Sequence, residues 1–253
     1  MPEKIATTDK GSGSTKPEKE VVYEEVAELE LPIKTIIEKI RTRIENGEYG
    51  LIIGDDASGR IPTRILGNFI KKVSEQKGLD KPNIIFIPGK LKAPILNRDR
   101  MIKKLEDHVS GFGAKKDKRI LIVTDTVLSG HSLKVLVGLL HKIGFTCDIA
   151  TIGVETDEKD LSKRNENLEE SEVISGEYHT TENKYYPHTP RIYREKTLSG
   201  VFKRMGEEKS TTIKSEELDG VSKEIVQDEI NQSRQDADVV TDHLFSWYKT
   251  LNK

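Results

Sequence analysis

The sequence has few cysteine and aromatic residues and no long hydrophobic segment. Its 253 residues include one cysteine and one tryptophan, and aromatic residues make up 6% of the chain. A single cysteine, Cys147, excludes an internal disulfide. No apolar run approaches the ~18 residues that a membrane-spanning helix needs, and residues 1–20 lack the apolar core of a secretory signal. The sequence therefore predicts a soluble, cytoplasmic protein with no membrane association.

Charge is abundant but balanced. Charged residues form 33% of the chain, above the ~25% that is usual for soluble domains. The 41 basic and 43 acidic residues leave a formal net charge of −2. Because neither sign dominates, we expect no nucleic acid and no anionic membrane as a partner. The hydrophobic share of 34% is low, so the core has to be concentrated in part of the chain.

The N-terminal segment 1–30 is predicted to be a disordered or weakly ordered tail. Residues 7–20 read TTDKGSGSTKPEKE and have no hydrophobic side chain, so burial cannot offset the entropy lost on ordering. The pattern changes at Pro32, which suits the first turn of a helix. Isoleucines then recur on one helical face, at positions Ile33, Ile36, Ile37, Ile40 and Ile44. This spacing predicts an amphipathic helix.

Residues 31–157 are predicted to form an α/β core. Three β-branched runs, at 50–54, 83–87 and 119–123, are each followed by a glycine-containing turn and an amphipathic helix, and a fourth run at 147–154 closes the series. Apolar strands that alternate with helices are typical of a parallel sheet covered on both faces. The predicted fold class is therefore α/β, with a three-layer parallel sheet.

The rest of the chain is more polar. Residues 158–205 join a charged stretch to one rich in aromatic residues and proline, and they are predicted to form an irregular hood or lid. Residues 206–253 are predicted to be a charged helical extension. Its last part has apolar residues at helical spacing: Val240, Leu244, Trp247, Tyr248 and Leu251. Such a stripe indicates a helix packed on its own core, which we favour, or a homodimer contact.

The turn after the third strand carries residues suited to phosphate binding. Ligands of open parallel sheets bind beyond the carboxyl ends of the strands. Residues 124–132, TDTVLSGHS, follow the apolar strand directly and precede a helix. Gly130 lets the backbone approach a ligand closely, Ser129 and Ser132 add hydroxyl donors, and a helix N-terminus favours anions. Asp125 would then lie about one sugar's length from a bound phosphate.

Two turns together resemble those of a known family. The sequence ILIVTDTVLSGHS at 120–132 resembles the phosphoribosyl-diphosphate signature of the type I phosphoribosyltransferases. The sequence LIIGDDASGRIPTRIL at 51–66 resembles the strand and loop with which that family receives the diphosphate. Two matches in the family's order, each on a strand-to-helix turn, are more specific than either alone. The resemblance covers roughly 33–157 and implies a sheet of the phosphoribosyltransferase type.

The resemblance implies a role for each matching residue. Asp125 would hold the ribose hydroxyls, and the turn behind it would surround the 5′-phosphate with amides and hydroxyls. The residues implied for this half of the ligand are Thr124, Asp125, Thr126, Ser129, Gly130, His131 and Ser132. Those implied for the diphosphate are Asp56, Ala57, Ser58, Gly59 and Arg60.

The same resemblance implies a reaction, the transfer of ribose 5-phosphate from phosphoribosyl diphosphate to a nucleobase with release of diphosphate. Arg98, Arg100 and two lysines lie where the family has a loop that closes over the reaction, and cations there would offset charge on the departing diphosphate. Mg²⁺ is the implied cofactor, and Asp125 would reach it only through ribose or water. The implied catalytic residues are Asp125, Arg60, Lys90 and Lys92.

Two positions depart from the family's pattern. The family usually has two consecutive acids at the strand end, whereas this chain has Thr124 before Asp125. This departure leaves open an alternative function, a non-catalytic module of the same fold that senses phosphoribosyl diphosphate or a nucleotide. Leu128 stands where the 6-oxopurine enzymes have an aspartate that serves the base. Hypoxanthine and guanine are therefore not the expected acceptors.

Overall fold

Helices and strands alternate along most of the chain in a computed structural model. It describes residues 20–55, 59–87, 98–127, 129–155, 164–168, 171–179, 198–204, 211–214 and 222–251. The elements are α1 (Glu24–Ala27), α2 (Glu30–Glu45), β1 (Tyr49–Asp55), α3 (Arg60–Lys77), β2 (Asn83–Ile87), α4 (Arg98–Gly111), β3 (Arg119–Val127), α5 (His131–Lys142), β4 (Cys147–Glu155), α6 (164–168), β5 (Glu172–His179), β6 (Val201–Arg204), β7 (Thr211–Lys214) and α7 (Lys223–Thr250). None of the described helices is long and apolar enough to cross a membrane.

Five strands form one parallel sheet in the order β2-β1-β3-β4-β5. Successive side chains of a strand point to opposite faces, and the buried residues follow this rule. Ile52 and Leu121 lie in a cluster with residues of α2, α3 and α7, whereas Leu51 and Ile122 lie in a second cluster with residues of α4 and α5. Helices therefore cover both faces, which confirms the predicted α/β fold with a parallel sheet.

The sheet extends beyond the predicted core boundary at 157. β5 lies within the segment 158–205, predicted to be irregular, and pairs in parallel with β4, with Ile174 opposite Ala150. β5 is one of the two edge strands of the described sheet and pairs there with β4 alone. Its sequence, EVISGEYH, mixes apolar with polar residues instead of forming a continuous apolar run. Edge strands tolerate charge, so this strand has a weaker sequence signal. A further strand, β7, precedes the helix in the segment 206–253 and pairs with β6.

Ordered structure begins before residue 31. Within the predicted tail 1–30, α1 forms, and Val26 and Leu29 are fully buried in the cluster that includes residues of α2, α3 and α7. The Tyr23 amide donates a hydrogen bond to Asp236 Oδ2 of α7 at 2.8 Å. Apolar burial offsets the entropy of ordering this stretch. Residues 1–19, which include the polar run, lie outside the described residues.

α7 packs on its own chain along α3. The ring of Tyr248 meets that of Phe69 edge-on, with centroids 5.5 Å apart. Arg64 of α3 donates two hydrogen bonds to the Asp238 carboxylate, at 2.7 and 3.1 Å. Of the predicted apolar stripe, Val240, Leu244 and Tyr248 are buried, whereas Leu251 is exposed. The stripe therefore packs on the chain's own core, as favoured above, and a homodimer contact stays a prediction.

A buried carboxylate joins the starts of several strands. Asp148, near the start of β4, has no exposed surface. Its Oδ2 accepts hydrogen bonds from Arg43 Nη1 at 2.9 Å, the Tyr49 hydroxyl at 2.9 Å and Arg119 Nε at 2.8 Å. Its Oδ1 accepts a fourth, from Arg119 Nη2 at 2.6 Å. Burial and the Asp148 charge raise the pKa of Tyr49 far above its usual range, so the phenol stays protonated and donates.

Substituting Asp148→Asn is expected to lower the free energy of unfolding by about 3 kcal/mol. The change leaves Arg43 and Arg119 without their shared carboxylate, and both side chains are only about a third exposed. The control Tyr49→Phe removes one donor and should cost about 1–2 kcal/mol. Urea denaturation of the three proteins measures these values. A loss for Asp148→Asn no larger than that for Tyr49→Phe would contradict the assignment.

Cys147 is a core residue, as its place in an apolar strand predicts. Burial, with a smaller contribution from the Asp148 charge, raises the pKa of its thiol to about 12. Since the thiolate is the reactive form, we expect iodoacetamide at pH 8 to label Cys147 only after urea unfolds the protein. Mass spectrometry measures the labelled fraction. Equal labelling rates in native and unfolded protein would contradict this expectation.

Candidate functional site

The two turns predicted to bind phosphate begin on neighbouring strands. β1 and β3 pair directly, with Gly54 opposite Val123. The chain leaves β1 for β2 on one side of the sheet and leaves β3 for β4 on the other, so the strand order reverses between them. In open α/β sheets this is where ligands bind, in the crevice beyond the carboxyl ends of the strands. We refer to the space between the ends of β1 and β3 as the crevice.

Two carboxylates and a hydroxyl meet at the crevice. Asp55 ends β1, and Thr124 and Asp125 lie in β3. All three are buried, with 3%, 2% and 6% of their surface exposed. The Thr124 hydroxyl oxygen lies 3.3 Å from Asp55 Oδ2 and 3.2 Å from Asp125 Oδ1. One carboxylate from each strand thus lies within hydrogen-bond distance of the same hydroxyl.

Asp55 is a residue that the sequence analysis did not assign to the site. It directly follows the apolar run GLIIG, and the neighbouring Asp56 was assigned to the diphosphate loop instead. The available signal was its place as the last residue of a strand, the position from which side chains reach ligands in parallel sheets. Its contact with Thr124 depends on lateral pairing of strands that are far apart in sequence, which local patterns do not reveal.

Short contacts fix the backbone beneath both carboxylates. The Gly59 amide donates to the Asp55 carbonyl oxygen at 2.8 Å, and β3 pairs with β4 on both sides of Asp125, with Thr124 opposite Thr151 and Thr126 opposite Gly153. A Cβ at Gly59 would lie 2.6 Å from the carbonyl oxygens of Asp55 and Val123. Glycine is therefore required where the chain turns from β1 into α3 against both strands.

The turn after β3 leads into the N-terminus of α5. Gly130 precedes the helix with φ of +69°, in the left-handed region that favours glycine. Asn167 Nδ2 donates to the Ser129 carbonyl oxygen at 2.7 Å, and Leu168 packs so closely that a Cβ at Gly130 would lie 2.7 Å from its Cγ. α6 therefore supports this turn. Ser129 is half-buried, and the exposed residues beside it are His131 and Ser132.

Arg60, predicted to offset diphosphate charge, begins α3 next to Gly59. Its guanidinium carbon lies 4.9 Å from the ring centroid of Phe86, a cation–π distance. Phe86 lies on β2 opposite Gly54, where a Cβ would come within 2.6 Å of the ring. Phe86 thus holds Arg60 near the end of β1. Sequence reasoning missed this aromatic residue because NIIFI was interpreted as a buried strand, whereas β2 lies at the sheet edge.

The structure therefore brings together part of the predicted site. It places Thr124, Asp125, Gly59 and Arg60 at the ends of β1 and β3, and the Ser129 turn at the start of α5. Thr126 is half-buried, and its hydroxyl has no hydrogen-bond partner among the described residues. Arg100 is an exposed residue of α4. The predicted residues that lie outside the described ones are Asp56, Ala57, Ser58, Lys90 and Lys92, together with Leu128.

The donor set of the crevice suits a hard cation. Carboxylate and hydroxyl oxygens, as in Asp55, Asp125 and Thr124, are the ligands that Mg²⁺ prefers. Within the described ranges, no group of three or more histidine, cysteine, aspartate or glutamate residues is placed to hold a metal. These residues therefore fit Mg²⁺ that is bound largely through the oxygens of a ligand.

Comparison with known proteins assigns no family to this chain. No protein-family model matches the chain, and no curated protein matches it. The family resemblance therefore depends on the two sequence motifs and on their order along the chain.

The substitution Gly59→Ala is expected to lower the free energy of unfolding by about 1–3 kcal/mol. The added Cβ meets two backbone carbonyl oxygens, which cannot move aside as a flexible side chain can. Gly138→Ala in α5 is the matched control, because a Cβ there meets nothing within 4 Å; it should leave stability unchanged or raise it by about 0.5–1 kcal/mol. Urea denaturation measures both. Equal stability of the two variants would contradict the close approach at Gly59.

Proposed function

We propose that this chain is a phosphoribosyltransferase-like protein that binds phosphoribosyl diphosphate and Mg²⁺ in the crevice. It would transfer ribose 5-phosphate to a nitrogen base and release diphosphate. One observation carries the proposal: two turns suited to phosphate, from separate parts of the sequence, begin on adjacent strands at the point where the strand order reverses. Packing alone does not require phosphate-type turns at these two positions.

The turn after β3 would bind the 5′-phosphate. Gly130 and the first residues of α5 present backbone amides at a helix N-terminus, where the helix dipole favours an anion. Ser129 and Ser132 add hydroxyl donors. Asp125 lies on the strand side of this turn, so its carboxylate would accept hydrogen bonds from the ribose hydroxyls. The sugar would then lie along the end of β3, with its reacting carbon toward β1.

The turn after β1 would receive the leaving group. The bond from ribose C1 to diphosphate breaks with its electron pair on the diphosphate, the base nitrogen supplies the pair for the new bond, and the proton lost from that nitrogen passes to solvent. Arg60, held against Phe86, would offset the charge that builds on the diphosphate. The carboxylate of Asp125 would stabilise positive charge on the ribosyl centre. Bound Mg²⁺ would neutralise part of the diphosphate charge.

A specific observation favours a second candidate function. Thr124 replaces one of the two consecutive acids that the resembling family usually has at this strand end. A module that binds phosphoribosyl diphosphate or a nucleotide without turnover would need the phosphate-binding turns but not the full set of acids. The two functions share the crevice and differ in whether diphosphate is released.

Isothermal titration calorimetry tests both candidates, with phosphoribosyl diphosphate as the ligand for the transferase and with nucleoside monophosphates added for the sensing module. We expect saturable binding that strengthens when Mg²⁺ is added, and a ligand present at about a hundred times its Kd should stabilise the fold by about 2.7 kcal/mol. Ribose 5-phosphate and diphosphate, added separately, are the controls and should bind more weakly, since each fills half of the site. Absence of binding by phosphoribosyl diphosphate would refute the transferase function, and absence of binding by nucleoside monophosphates as well would refute the sensing module.

A panel of nucleobases then separates the two functions. With a suitable base, an enzyme releases diphosphate, which a coupled assay measures. Tight binding of phosphoribosyl diphosphate with no release across purine and pyrimidine bases would favour the sensing module. Hypoxanthine and guanine belong in the panel as the acceptors least expected from Leu128.

A further inference from the structure

We propose that Asp55 supplies the second carboxylate of the crevice, so that the acidic pair is divided between β1 and β3 instead of being consecutive in β3. This inference rests on the proposed function and deepens it by assigning a positioning residue. Asp55 would position the Thr124 hydroxyl. Together with Asp125 it would favour binding of the ribose hydroxyls and Mg²⁺ of phosphoribosyl diphosphate. The juxtaposition of Asp55, Thr124 and Asp125 carries the argument.

Position is the first support. Thr124 occupies the place of the first acid in the signature that it resembles, and the Asp55 carboxylate lies 3.3 Å from its hydroxyl oxygen. The carboxylate that β3 lacks at position 124 is thus present next to Thr124, on the neighbouring strand. The fold holds it there, because β1 and β3 pair in register up to Gly54 and Val123, the residues that precede Asp55 and Thr124.

The electrostatics of the three groups are the second support. A threonine hydroxyl has one proton and can donate to one carboxylate at a time, yet the oxygens of two carboxylates lie within 3.3 Å of this one. Two carboxylates that approach the same hydroxyl repel each other when both are ionised. A ligand that brings a divalent cation or several hydroxyl donors lowers that repulsion on binding. Phosphoribosyl diphosphate with Mg²⁺ brings both.

Preorganisation is the third support. The amide of Gly59 holds the Asp55 backbone, and the pairing of β3 with β4 holds the Asp125 backbone. Both carboxylates are more than nine-tenths buried, so their side chains lose little freedom when a ligand binds. Groups fixed before binding contribute more to affinity than groups that must be ordered.

Four variants test the inference by calorimetry with phosphoribosyl diphosphate and Mg²⁺. Asp55→Asn should weaken binding by about ten- to a hundredfold, as should Asp125→Asn, because each loses one charge-assisted interaction. Thr124→Asp should not strengthen binding, because it adds a third carboxylate beside Asp55, and it should lower the Tm of the ligand-free protein. The double variant Asp55→Asn/Thr124→Asp restores two carboxylates and should bind about tenfold more tightly than Asp55→Asn.

Asp242→Asn is the matched control. It neutralises an exposed carboxylate of α7, paired with Lys72, and should leave binding and its Mg²⁺ dependence unchanged. Thermal unfolding of every ligand-free variant separates loss of fold from loss of binding. A merely structural role of Asp55 predicts a lower Tm with no change in the Mg²⁺ dependence and no rescue by Thr124→Asp.

The outcomes distinguish this inference from the function on which it rests. If the unsubstituted protein does not bind phosphoribosyl diphosphate, the proposed function fails and the inference fails with it. If the unsubstituted protein binds and a folded Asp55→Asn variant binds equally well, only the inference is overturned. It is also overturned if Asp55→Asn weakens binding but the double variant gives no recovery.

Discussion

The pairing of β1 with β3 is the contact on which the remaining structure depends, and a single buried carboxylate fixes its start. Asp148 accepts hydrogen bonds from Tyr49, the first residue of β1, and from Arg119, the first residue of β3. A shift of one residue in a strand would reverse which side chains face each layer of helices. The pairing is irregular between Tyr49 and Leu51 and regular from Leu51 to Gly54, so that Asp55 and Thr124 lie side by side at the other end. Asp148 and the crevice thus lie at opposite ends of the same strand pair.

The sequence predicts some parts of this fold well for a physical reason. β1, β3 and β4 are buried on both faces, so they are continuous apolar runs that stand out in a polar chain. β5 pairs on one side only and carries charge, so its pattern resembles that of a loop. α1 has four residues, too few for helical periodicity. Its burial depends on α7, near the far end of the chain.

The candidate site shows the same division. The two turns are recognisable in the sequence because the glycine, the hydroxyl residues and the acid of each lie within nine residues of one another. The side chains that contact them are not recognisable in the sequence, because they come from other elements: Phe86 of β2 against Arg60, Asn167 of α6 against Ser129, and Asp55 of β1 against Thr124. Such contacts depend on strand order, and strand order is a property of the whole sheet. A departure at one position, such as Thr124, therefore has to be judged together with its neighbours on adjacent strands.

The docking of α7 has a practical consequence for spectroscopy. The chain has one tryptophan, Trp247, which is half-buried on this helix with the Lys34 ammonium 4.6 Å from its ring centroid. Its indole emission therefore reports the local environment of α7 and α2, without a background from other tryptophans. A change in fluorescence during unfolding would follow the release of the C-terminal helix, which makes that step directly observable by stopped-flow kinetics.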